Sequence, residues 1–164
     1  MNESRARFYL ESVAAGLIGD AVVALLFTFL NVLQGRSPFY TAALLGADLF
    51  YGLESPAQLL IEPGPVLAYN GIHLLAFLGA GLFMRWLTGL AERFPEGWYL
   101  LVVLVLIVLP HLFGLPVWFE GPIRAELPFW YVIFATSMAA LAMGAFLLAT
   151  HPRLRESMRE YRDE

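Results

Sequence analysis

The sequence contains no cysteine among its 164 residues. Disulfides, thiolate metal sites, iron–sulfur clusters and covalently attached c-type haem are therefore excluded. It also contains no lysine, so all ten basic residues are arginine, and a net charge of −4 gives no reason to expect nucleic acid as a partner. Charged residues make up only 15% of the chain. Because an ordinary soluble domain carries about 25%, the chain does not have the composition of one.

The common catalytic motifs are also missing. The sequence has no glycine-rich phosphate loop, no HExxH zinc motif, and no nucleophile accompanied by a base and an orienting group. We therefore expect a protein that is not an enzyme in its own right.

Apolar residues are abundant: 59% of the chain is hydrophobic and the mean hydropathy is +0.67. Four apolar runs are each long enough to cross a bilayer, which takes about 20 residues. The first run contains Asp20 and is too long for the apolar region of a signal peptide, so we expect it to be retained. The prediction is an all-α membrane protein in which residues 1–164 form a single membrane domain. Its four-transmembrane-helix bundle is expected at about 12–33, 65–87, 98–118 and 128–150, with a cytoplasmic tail at 151–164.

A further apolar segment, at about 38–51, lies between the first two runs and is too short to span a membrane. Ser37 can cap a helix there, and Pro38 suits the first helical position. We predict an extra short helix that lies at the membrane interface or re-enters the membrane.

The arginines predict the orientation of the chain. If four helices alternate across the membrane, eight of the ten arginines fall on one side, which is then cytoplasmic. We expect a multi-pass protein of the inner (plasma) membrane with both termini in the cytoplasm. Arg5, Arg7, Arg85, Arg93, Arg153, Arg155, Arg159 and Arg162 lie on the cytoplasmic side, and Arg36 and Arg124 on the other.

Small residues recur at helical spacing and predict the faces on which the helices pack, since helices in lipid associate by close approach of small side chains. The first run has such a stripe, and shorter ones occur in the second and fourth. We expect these faces to point inward. They comprise Ser12, Gly16, Asp20, Ala24 and Thr28; Gly71, Gly79 and Gly81; and Thr136, Ala140 and Gly144.

Asp20 is an ionisable residue well inside the first apolar run. Such residues usually face the interior of a bundle and have a partner. Asp20 either handles protons or cations, or provides a counter-charge to a bound group, or is a hydrogen-bonded residue that fixes helix packing.

His73 and His111 lie in the second and third runs, at about 12 Å and 10 Å below the outer boundary. Matched depth on two helices is what a bis-histidine haem b requires, and such a bundle resembles in architecture the small haem-b membrane anchors of respiratory enzymes. A metal site with a carboxylate such as Glu126 or Asp48 is an alternative. In a purely structural role, each histidine bonds to a backbone carbonyl, to water or to Asn70. Asn70 and Asp20 are the two polar residues that we predict to be buried.

Charges outside the apolar runs are unevenly distributed. The outer segments carry five acids against two arginines, which would attract a basic partner or cations, or would simply be solvated. His151, at the end of the fourth run, is expected to interact with the helix C-terminus or lipid headgroups. The five acids are Asp48, Glu54, Glu62, Glu120 and Glu126.

Three functions are compatible with these features. The first is a small subunit of, or accessory to, a larger membrane complex such as a respiratory one, with other membrane subunits or further copies of itself as partners, besides membrane lipid. The second is a haem b or metal-binding electron-transfer protein that uses His73 and His111. The third is a small oligomeric channel or transporter that uses Asp20, with the 38–51 segment near the path. Contact with lipid or quinone fits each of them.

Overall fold

The computed structural model describes residues 3–93, 123, 125–152, 155 and 156. These residues form four α-helices and one short 3-10 turn, Pro56–Gln58, and no strand occurs among them. The helices are α1 (Glu3–Leu33), α2 (Tyr40–Tyr51), α3 (Pro63–Arg93) and α4 (Phe129–Thr150). The predicted all-helical class is confirmed for this part of the chain.

Three of the helices, α1, α3 and α4, are long and apolar enough to cross a membrane. They correspond to the runs predicted at 12–33, 65–87 and 128–150, and the run predicted at 98–118 lies outside the described residues. Helix α1 starts nine residues earlier than predicted, and α3 extends to Arg93, beyond the predicted end at residue 87. Hydropathy detects only the apolar part of a helix, whereas the flanking segments are rich in Arg, Glu, Ala and Leu, which favour helix without being apolar throughout.

The short helix α2 lies within the segment predicted at 38–51 and packs against α3. Gly46 lies directly against the backbone of Pro65, where any side chain would collide. The helix ends at Gly52, whose φ of +68° is in the left-handed region that glycine adopts without strain. Leu44 and Leu45 pack with Ile123 and Leu127, so α2 also contacts residues that precede α4.

The main core lies where α1, α3 and α4 meet. A Cβ on Gly81 would collide with the Ser12 carbonyl and the Gly16 backbone, and one on Gly16 would reach the Phe77 carbonyl at 2.6 Å. The predicted close approach is therefore confirmed for Gly16 and Gly81. The core consists of Ala15, Val23, Phe77, Ala80, Met84, Leu87, Ala135, Ala139, Ala140, Met143 and Leu147.

Other small residues do not lie where we predicted. Gly71 and Gly79 are exposed, and a Cβ on either would meet no described atom. In α4, Thr136 and Gly144 are only half-buried, because the buried face passes through Ala135, Ala139 and Met143. Residues four apart drift by about 40° around a helix at each step, so a stripe at spacing four leaves the packed face within a few turns.

Candidate functional site

Asp20 and His73 face each other across α1 and α3. The Asp20 Oδ1 lies 2.6 Å from the His73 Nδ1. The two helices run antiparallel, and Gly16 allows the backbone of Phe77 to approach closely. Asp20 is one turn after Gly16, and His73 is one turn before Phe77, so the close approach brings their side chains within hydrogen-bonding distance.

The pair is enclosed but not sealed. The Asp20 and His73 side chains are 24% and 16% exposed. The His73 ring lies between the rings of Tyr69 and Phe77, at centroid distances of 5.5 and 4.9 Å. At 2.6 Å one hydrogen lies between the nitrogen and the oxygen, and the second ring nitrogen, Nε2, takes no part in this contact.

A cavity of about 150 Å³ adjoins this pair. It lies between α1, α2 and α3, toward the end of α1 that carries Asn31. Its walls combine apolar and aromatic groups with the hydroxyl, amide and imidazole groups of six residues. These polar lining residues are Thr28, Asn31, Thr41, Tyr69, Asn70 and His73. We predicted Asn70 to be buried, but it is exposed. His73, three residues later, takes the position that faces α1.

Hydrogen bonds fix one wall of this cavity. The Thr41 hydroxyl donates to the Asn31 Oδ1 at 2.9 Å, and the Asn31 amide donates to the Pro38 carbonyl at 3.2 Å. Both Asn31 and Thr41 are buried. The start of α2 is thereby tied to the end of α1, which gives the cavity a fixed polar wall.

A second polar cluster lies at the opposite end of the three long helices, around Glu11, which is 8% exposed. The Arg7 Nε lies 2.8 Å from its Oε1, and the Arg85 Nε lies 2.6 Å from its Oε2. The His151 Nε2 is 3.4 Å from the same Oε2. One carboxylate thus joins α1, α3 and the end of α4.

This cluster is only partly predictable from the sequence. Arg7 and Glu11 are four residues apart, the spacing of a helical ion pair, but nothing indicated that Arg85 and His151 would join them. The predicted interaction of His151 with the helix C-terminus is confirmed, because its Nδ1 lies 2.9 Å from the Leu147 carbonyl.

Glu126 belongs to a third cluster, near the end of α1 and the start of α2. Its carboxylate lies 2.8 Å from Arg36 and accepts a hydrogen bond from the Tyr40 hydroxyl at 3.2 Å. Burial, and next the negative charge of Glu126, raise the pKa of Tyr40, while Arg36 opposes this. Burial also raises the pKa of Asp48. Glu126 is therefore paired with an arginine and a tyrosine, and its role as a metal ligand with His73 stays a prediction without support.

The haem and metal hypotheses receive no further support from the part of the chain that the structure describes. No three His, Asp or Glu side chains are grouped there so that they could hold a metal ion. His111 and Glu120 lie outside the described residues, so the geometry of a bis-histidine pair stays a prediction. His73 itself is engaged with Asp20 through Nδ1.

Comparison with known proteins gives no match to a protein-family model, to a curated protein or to a solved structure. A function has therefore to be inferred from the chemistry of the Asp20–His73 pair and its adjoining cavity.

Proposed function

We propose that the protein is a small membrane channel or transporter in which the Asp20–His73 pair binds and releases protons. The observation that carries this proposal is the 2.6 Å contact between two ionisable side chains on the apolar helices α1 and α3, directly beside a polar cavity. Ionisable residues inside membrane helices are costly, and in transporters they commonly form proton relays.

The proposal includes a topology. We propose four transmembrane helices in one membrane domain, with 98–118 as the span between α3 and α4. Both termini then lie on the cytoplasmic side of the inner membrane, and α2 lies at or within the outer boundary. Exposed leucine, phenylalanine and tryptophan side chains along α1, α3 and α4 support contact with lipid.

The chemistry favours a proton as the group that is bound. With one hydrogen shared between Nδ1 and Oδ1 and none on Nε2, the Asp20–His73 pair carries one negative charge. A proton taken up at Nε2 makes the pair neutral overall, as a close ion pair or as a carboxylic acid beside a neutral imidazole, and both forms tolerate a low dielectric better than an isolated charge. Uptake or release of that proton therefore changes the net charge of the pair by one unit. The polar cavity lies on the side of the pair that this topology places toward the outer boundary, and on the other side Gly16 and Gly19 pack closely against α3 and α4.

Flux measurements test this proposal. Purified protein in liposomes that contain a pH-sensitive dye is expected to carry protons when a potassium gradient with valinomycin sets the membrane potential. Asp20→Asn keeps the hydrogen-bond acceptor but cannot carry the charge, and His73→Gln removes the imidazole, so both are expected to reduce the flux to that of protein-free liposomes. Asp48→Asn is the matched control, because it makes the same chemical change outside the pair.

Wild-type protein that carries no protons, or an Asp20→Asn variant with unchanged flux, would contradict the proposal. Equal losses in Asp20→Asn and Asp48→Asn would also contradict it, because the effect would then not be specific to the pair.

The topology is tested by labelling, for which the absence of cysteine is an advantage. In intact cells, a membrane-impermeant maleimide is expected to label Ser55→Cys, in the outer loop, and to leave Glu156→Cys unlabelled until the membrane is permeabilised. Both positions lie outside the long helices and Glu156 is exposed. Labelling of Glu156→Cys in intact cells would overturn the orientation.

The other two functions remain predictions. Gly16 and Gly81 are engaged within the chain, whereas Gly71 and Gly79 are exposed and no described atom lies against them. The small residues therefore neither favour nor oppose the accessory-subunit hypothesis. A Soret band in the purified protein that is lost in His111→Ala would support haem b instead of the proton site.

A further inference from the structure

A second cavity, of about 470 Å³, lies at the opposite end of the protein from the Asp20–His73 cavity. It is formed by the last two turns of α3 together with Phe8 of α1. Arg85, Gly89 and Arg93 line it, along with Trp86, Leu90 and Glu92. Guanidinium groups and apolar side chains thus line the same cavity, which lies where the apolar part of α3 ends.

Arg85 is held in a fixed position in this cavity. Its Nε bonds to Glu11 at 2.6 Å, and its guanidinium lies over the Phe8 ring at 5.3 Å. Its Nη1 lies 3.5 Å from the point that a Cβ of Gly89 would occupy. Because the Nε takes the bond to Glu11, the N–H groups on Nη1 and Nη2 are available to a ligand. The absence of a side chain at Gly89 leaves space for that ligand.

The charges around the cavity favour an anion. Among the described residues around it, Arg7, Arg85 and Arg93 outnumber Glu11 and Glu92 by one positive charge. Glu11 is already shared between Arg7 and Arg85, and Arg93 lies exposed at the end of α3. Arginine binds phosphate through paired N–H groups.

We propose that this cavity binds the phosphate group of an anionic phospholipid. Free phosphate is the other source of the same chemistry, but a cavity of this volume is far larger than a phosphate ion, and Trp86, Leu90 and Phe8 give it apolar walls. Trp86 is 54% exposed, as expected for a tryptophan at a membrane boundary. Basic cavities between membrane helices on the cytoplasmic side typically hold lipid headgroups. This inference does not depend on proton movement through Asp20.

Native mass spectrometry of the full chain tests the proposal, with phosphatidylglycerol and phosphatidylcholine added in turn. Wild-type protein is expected to retain one phosphatidylglycerol under conditions in which phosphatidylcholine dissociates. Arg93→Gln removes an exposed cation and Gly89→Leu fills the cavity without a backbone collision, so both are expected to lose the bound lipid. Arg155→Gln removes the same charge from the exposed tail and is expected to retain it.

Three results would overturn the proposal: equal retention of the two lipids, retention of phosphatidylglycerol by both Arg93→Gln and Gly89→Leu, or its loss in Arg155→Gln. Displacement of the lipid by millimolar inorganic phosphate would identify free phosphate as the ligand and would also overturn it. Thermal unfolding of each variant in detergent separates a lost ligand from a lost fold, since Gly89→Leu with an unchanged Tm and no lipid supports the site.

Discussion

Gly81→Ala is expected to destabilise the protein, although the same substitution in a helix normally stabilises. Alanine in place of glycine in a helix interior usually contributes about 0.5–1 kcal/mol. At Gly81 the added methyl group would collide with the Ser12 carbonyl and lie 2.6 Å from the Gly16 nitrogen. These are backbone atoms, which cannot rotate away as a side chain can. We therefore expect a net loss of about 1–3 kcal/mol, the range for overpacked cores.

The control for this prediction is Gly79→Ala, two residues earlier in the same helix. Gly79 is exposed, and its added Cβ would meet no described atom. Thermal unfolding in detergent should lower the Tm for Gly81→Ala and leave it unchanged or raised for Gly79→Ala. If both variants shift the Tm in the same direction, α1 and α3 do not approach as closely at Gly81 as the structure indicates.

The same close approach determines the distance between Asp20 and His73. Gly16 lies against both Gly81 and the Phe77 carbonyl, so forcing the helices apart at Gly81 also separates the pair. Proton flux should therefore fall in Gly81→Ala even where the protein remains folded. Gly79→Ala should carry protons normally.

Hydropathy was sufficient to predict three long apolar helices, because each needs only a run of about 20 apolar residues. It was not sufficient to find the Asp20–His73 pair. From the predicted helix ends, Asp20 lay about 20 Å and His73 about 12 Å from the outer boundary, a mismatch of about 8 Å at 1.5 Å per residue. In the structure α3 begins at Pro63, which moves His73 about 3 Å deeper.

The sequence also could not separate the glycines that pack from those that do not. The sequence does not distinguish Gly71, Gly79 and Gly81, yet among the described helices only Gly81 of the three lies at close range to another helix. The face that a helix presents depends on its rotation about its own axis, which is set by all its partners together. A spacing of four residues on one helix contains no information about that rotation.

Glu11→Gln is expected to cause the largest loss of stability of any single change considered. The substitution preserves the size of the side chain but removes the negative charge that lies against Arg85. The Arg85 side chain is only 15% exposed, so its charge cannot be fully hydrated. Removing one partner of a buried ion pair typically costs about 3–5 kcal/mol. Unfolding in a graded mixture of detergent and denaturant would measure the loss of stability. The control is Glu92→Gln, which makes the same change at an exposed position near the end of α3.

A double-mutant cycle separates the cost of an unpaired charge from the value of the pair itself. Arg85→Met keeps much of the apolar length of the side chain, and in the Glu11→Gln background it removes the cation left without its counter-charge. We expect the double variant to be more stable than Glu11→Gln alone, since a buried ion pair often contributes little beyond an apolar replacement. Because Arg7 is largely exposed, its charge is hydrated in either background. Additive losses from the two substitutions would mean that Glu11 and Arg85 do not interact in the folded protein, and a Glu11→Gln variant as stable as Glu92→Gln would mean that the cluster does not hold the three helices together.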